Sequence, residues 1–120
     1  MIKTVFDLDV FRLSYELAMR MFAITRSFPK EEKYSLTDQL VRSSRSISVN
    51  IAEGWGKRVY ENEFKRHLVY ATGSLEETKV WLRFAWECGY IAESVYHEVI
   101  QALEMIGARL YKLFLNWRKL

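Results

Sequence analysis

Apolar residues along this chain fall at helical spacing. From Val10 they recur at Val10, Leu13, Leu17, Met21, Ile24 and Phe28, the three- and four-residue steps of one helix face. Asp7 is placed to cap that helix and Pro29 to end it. Ser35-Leu36-Thr37-Asp38 reads as a capping box, and a second stripe follows through Leu36, Leu40, Ser44, Ile47 and Ile51. Gly54 and Gly56 should fray its end. A third helix is predicted from about Tyr60 to Cys88, with Phe64, Leu68, Ala71, Leu75, Leu82 and Ala85 inward and Gly89 as its stop. A fourth starts near Glu93, capped by Ser94, and runs through Val95, Val99, Leu103, Ile106, Leu110, Leu113 and Trp117.

Helices of about 20 to 28 residues are roughly 30 to 40 Å long. Short connections make sequential neighbours antiparallel. The expectation is therefore an all-α, antiparallel up-down-up-down four-helix bundle, with residues 1–120 as a single domain. The one proline and five glycines agree, because a β-sandwich needs many more turns. No apolar run approaches the roughly 18 residues of a membrane span, and Asp7 and Asp9 interrupt what would be a signal peptide. A lone cysteine, Cys88, fits a reducing cytoplasm and reads as an inert buried thiol.

Two features exceed what a bundle core requires. The apolar faces are wide: Tyr96, Ile100, Tyr111 and Phe114 add a row to the fourth helix, and Val69, Val80, Trp81 and Phe84 add one to the third. Two readings fit this surplus: aromatics wrapping partly exposed edges, which is common, or the bundle packing against copies of itself, which is the expectation here. The second feature is the stretch Ser46–Arg58, SISVNIAEGWGKR. Ser44, Ser48, Ala52 and Gly56 form a small-residue row that lets a neighbouring helix approach closely. Gln39, Arg42, Ser46, Asn50, Glu53 and Lys57 form a polar row beside it. Asn50 and Glu53 are accordingly expected to be a structural polar motif, bonded to the next helix through Ser74 or Thr78. Glu53 as a general base lacks a nearby acid, histidine or metal partner in the sequence.

Metal chemistry finds little support. Glu63 with His67 and Glu93 with His97 are each four apart, where di-metal bundles use three. Antiparallel helices put these two pairs roughly 20 to 25 Å apart along the axis. HEVIQ at His97–Gln101 has glutamine where a zinc-protease motif has its second histidine. No phosphate loop or dinucleotide fingerprint is present, so no cofactor and no enzymatic activity is expected.

The net charge of +3 matters less than its placement. In the expected topology, residues 1–18, 47–75 and 106–120 share one end, with ten cations against six acids, an excess of four. The other end has eight cations against nine acids. Lys57, Arg58, Lys65, Arg66, Lys112, Arg118 and Lys119 are the candidate nucleic-acid contacts, interleaved with Trp55, Tyr60, Tyr111 and Trp117. The plainer reading gives the C-terminal cations to the helix macrodipole and the aromatics to the core.

DLDVF at Asp7–Phe11, SFP at Ser27–Pro29, YSLTDQLVRSS at Tyr34–Ser44, SISVNIAEG at Ser46–Gly54, EF at Glu63–Phe64, ATGSLEET at Ala71–Thr78 and CGYI at Cys88–Ile91 together form a pattern over nearly the whole chain. It resembles the four-helix-bundle family of proteins encoded in intervening sequences of 23S ribosomal RNA. The chain departs from that pattern at Phe11, Ser35 and Ser48, where the family often has tryptophan, glycine and proline. The resemblance implies a bacterial up-down bundle, a ring-shaped homopentamer and no known catalytic group. A more distant similarity, of fold only, is to accessory proteins of diversity-generating retroelements, which are basic pentamers. The resulting expectation is a non-enzymatic, self-associating bundle with structured RNA as candidate partner. A scaffold that docks another protein on the homopentamer is the alternative.

Overall fold

The computed structural model describes residues 1–118; Lys119, one of the candidate cations, lies outside the described residues. Four helices follow one another: α1 Asp9–Thr25, α2 Leu36–Gly56, α3 Glu61–Glu87 and α4 Glu93–Asn116. Short 3-10 turns at Val5–Asp7 and Lys30–Glu32 precede α1 and α2. Each helix packs against two others, in the cyclic order α1, α2, α3, α4 and back to α1, and among the described residues neither diagonal pair comes close. Directions follow from paired contacts. Ser46 meets Ser74 while Asn50 meets His67, so α2 and α3 are antiparallel. Arg20 meets Glu98 while Arg109 meets Asp9, so α1 and α4 are too. Trp86 stacks on Tyr96 at one end of α3 and Phe64 lies against Trp117 at the other, completing an up-down-up-down bundle.

The helical stripes enter one core. Met21, Leu40, Ile47, Ile51, Phe64, Leu82 and Leu103 are fully buried, each side chain contributing about 1.5–3 kcal/mol relative to exposure. Their three- and four-residue spacing is what makes each helix a good fit to the other two it touches.

Several local expectations change. Asp7 does not cap α1. Its carboxylate accepts the Thr4 and Lys3 amide hydrogens, at 2.9 and 2.8 Å, so it closes the preceding 3-10 turn. Those bonds hold its carboxyl below the usual range. The Ser35 capping box does not form either. Ser35 Oγ donates to Glu32 at 2.6 Å, and that same carboxylate oxygen takes the Leu36 amide, so Glu32 does the capping from the previous turn. Ser94 sits inside α4, whose first flanking residue is Ala92. α1 stops at Thr25, three residues short of Phe28, where the Thr25 and Ser27 hydroxyls bond carbonyls three residues back. Gly89 behaves as expected. With φ +81° it forms a Schellman stop, its amide donating to Trp86 and the Tyr90 amide to Ala85. Cys88, just before it, is exposed rather than buried, because it sits past the last turn of α3.

α2 also does not fray at its glycines; it stays helical through Gly56. Gly54 is needed for another reason. A Cβ there would lie 2.7 Å from His67 Cβ and 3.3 Å from the Phe64 carbonyl, so α3 comes closer to α2 than any side chain permits.

Candidate nucleic-acid interface

The end that carries the C-terminus of α2 and the N-terminus of α3 also carries the C-terminus of α4, as the charge argument requires. Trp55 lies 6.0 Å and Phe64 4.6 Å from Trp117, centroid to centroid, which ties these three helix ends together. The aromatics divide. Trp55 is core and Trp117 is half-buried, whereas Tyr60 and Tyr111 are exposed.

The candidate cations divide further. Lys57 stays half exposed but is engaged, with Nζ 3.1 Å from His67 Nε2 and 3.5 Å from Glu53. Arg58 lies over the Trp55 ring at 3.9 Å and donates to the Trp55 carbonyl. Lys65 pairs with Glu61 at 3.4 Å and lies over Phe114. Arg66 pairs with Glu63, also at 3.4 Å. Lys112 lines a shallow depression beside Arg109 and Asp9, toward α1. Arg118 donates to the Leu115 and Trp117 carbonyls. The six described candidate cations therefore share one end but occupy several sides of it. Most already hold a partner, which lowers what each has left for a phosphate.

Asn50 belongs to a chain of hydrogen bonds between α2 and α3, and Glu53 only flanks it, at ion-pair distance from Lys57 and His67. Lys57 donates to His67 Nε2, so the His67 hydrogen sits on Nδ1 and donates to Asn50 Oδ1 at 3.2 Å. Asn50 Nδ2 donates to the Ser46 carbonyl and hydroxyl, and Ser74 donates to the same hydroxyl at 2.8 Å. One turn further, Thr78 meets Ser43 at 2.9 Å. Ser74 and Thr78 thus do face the polar row, but they bond Ser46 and Ser43. Asn50 takes His67 instead, one turn nearer the basic end.

His67 is the residue the sequence did not single out for this seam. Its side chain is only 7% exposed, and Glu53 lies 3.7 Å from its Nε2. Glu53 therefore has the histidine neighbour that its sequence surroundings lacked. The signal was present: His67 follows Phe64 by three, on the inward face of α3. Both of its ring nitrogens are engaged, and Glu53 itself is more than half exposed. Glu63 turns to Arg66, away from His67, and His97 lies 4.0 Å from Glu93 at the opposite end of the bundle. Among the described residues no helix is long and apolar enough to cross a membrane.

The chain is similar over 89% of its length to a crystallised protein of unknown function from the S23 ribosomal protein family of Bacteroides thetaiotaomicron. The two share 25% sequence identity and a TM-score of 0.81, and 96% of that chain is covered. No curated protein matches. The model of the 23S rRNA-intervening sequence protein family matches residues 6–112. That span runs from the turn before α1 almost to the end of α4, and the chain accordingly belongs to the family of 23S rRNA-intervening sequence proteins.

Proposed function

We propose that the chain is a non-enzymatic, self-associating single-domain bundle whose assembled basic ends hold structured RNA in the bacterial cytoplasm. The observation that carries this reading is a pair of apolar faces on opposite sides of the bundle. Tyr15, Met19 and Phe22 on α1 and Val49 on α2 are exposed on one side. Val69, Val80 and Phe84 on α3 and Tyr111 on α4 are exposed on the other. Because packing runs α1, α2, α3, α4 and back, the α1–α2 face stands opposite the α3–α4 face. Joining one to the other is a head-to-tail contact, which closes into a ring when the rotation allows. The homopentamer implied by the family is such a ring.

A cyclic ring puts every basic end on the same side. That matters because, among the described candidate cations, Lys57, Lys65 and Arg66 already hold acidic partners, and repetition raises avidity without new contacts. Structured RNA, long enough to touch several copies, is the partner this geometry favours.

Light scattering tests the assembly: a multiple of 14.3 kDa is expected, and a 14.3 kDa monomer overturns it. Phe22→Glu combined with Val80→Glu should give that monomer. Binding of a stem-loop RNA should weaken steeply with salt and weaken further in Lys112→Glu/Arg118→Glu. Absence of binding at low salt overturns the RNA reading.

A further inference from the structure

We infer that a cleft at the basic end receives an unpaired nucleobase of the bound RNA; the inference rests on the RNA reading above. The cleft has a volume of about 710 Å3, within the usual range for small-molecule sites. Trp55, Gly56, Arg58 and Val59 form the wall contributed by the end of α2, and Trp117 forms the wall just past α4. The N-terminal Met1 and Ile2 close the remaining side.

Its chemistry matches a flat aromatic ligand attached to a phosphate. Arg58 is held over the Trp55 ring and anchored to the Trp55 carbonyl, so one face of the guanidinium is occupied and its position is fixed. A guanidinium held this way is a stacking platform for a base. Among the described residues no acid lines the cleft, and Arg118, next to Trp117 in sequence, is the cation at hand for a flanking phosphate. A paired base keeps its faces stacked in the helix and cannot enter. The cleft therefore selects bases in loops, bulges or single strands.

The test is tryptophan emission of the full chain at low salt, titrated with hexa-adenylate RNA, an RNA duplex and inorganic polyphosphate. Hexa-adenylate should quench saturably, while duplex and polyphosphate bind without that quench. Gly56 lines the cleft and an added Cβ there meets nothing within 4 Å, so Gly56→Leu should crowd the mouth. It should weaken hexa-adenylate binding about fivefold or more and leave duplex binding unchanged. Arg58→Lys keeps the charge, removes the plane and should lose the same factor. If both variants bind hexa-adenylate as the native chain does, the cleft is overturned and the RNA reading stands. If no RNA binds at low salt, the RNA reading falls and the cleft falls with it.

Discussion

α3 meets its two neighbours by opposite means. Toward α2 the contact is close and polar, built on Gly54 and the hydroxyls of Ser43, Ser46, Ser74 and Thr78, with His67 and Asn50 at its lower end. Toward α4 it is sparser and apolar. Leu75 reaches Gly107, Trp86 stacks on Tyr96, and a groove of about 220 Å3 remains between Leu68, Gly107 and Phe114. A polar contact is satisfied in one alignment only, so it sets the sliding register of α2 on α3. An apolar contact is tolerant of small shifts and leaves slack. The difference teaches that the NIAEG stretch, Asn50–Gly54, lies at the close contact, where Asn50 bonds His67 and Gly54 lets α3 approach.

The two glycines give the sharpest way to break this comparison. Gly54→Ala forces a methyl group against His67 and the α3 backbone, and should cost about 2 kcal/mol in denaturant unfolding. An unchanged midpoint would mean that the seam is not tightly packed. Thr78→Val deletes a fully buried hydroxyl bonded to Ser43 and to the Ser74 carbonyl, and should cost about 1 kcal/mol by the same measurement. Gly107→Ala should have the opposite sign. Its Cβ would meet Leu75 at 3.7 Å, an ordinary contact, and the helix gains about 0.5 kcal/mol from losing a glycine. If Gly54→Ala and Gly107→Ala shift stability alike, the contrast between the seams is wrong.

The smallest expected effect lies at the far end, where the α1–α2 and α3–α4 connections meet. Tyr90 donates to Glu32 at 2.8 Å, and that carboxylate pushes the phenol up to about 12. The Ser35 hydroxyl, and then Tyr90, hold Glu32 below the usual carboxylate range. A raised phenol contributes stability that is complete below pH 10 and is lost as pH rises toward 12. A lowered carboxyl contributes stability present above its unfolded value and lost as pH falls through the folded one. An ultraviolet absorbance titration should show one tyrosine ionising last. Tyr90→Phe should remove that step and lower the unfolding midpoint at neutral pH slightly, the smallest shift of the four.

The stripes through Leu40, Ile47 and Ile51, and through Phe64, Leu68 and Leu75, were legible because helical periodicity is local. The stop at Gly89 was legible for the same reason, since only its own backbone must adopt a positive φ. The caps were not. Glu32 outcompetes Asp38 at the start of α2 because it reaches the Leu36 amide from a turn whose geometry no spacing rule encodes. The basic end was legible as a list of residues but not as a surface. Whether Lys57 faces a phosphate or His67 depends on a side chain ten positions away.

By itself the sequence determined four helices, their order around the bundle and the end at which positive charge collects. Each of these follows from periodicity, short connections and counting, which need no knowledge of distant contacts. Only the tertiary structure decided that Gly54 is a point of closest approach, that His67 completes the Asn50 network, and that Arg58, Trp55 and Trp117 enclose a cleft. Those outcomes depend on side chains from separate helices meeting within a few ångströms. Such meetings are set by the distance and rotation at which whole helices pack, and no local pattern carries that information.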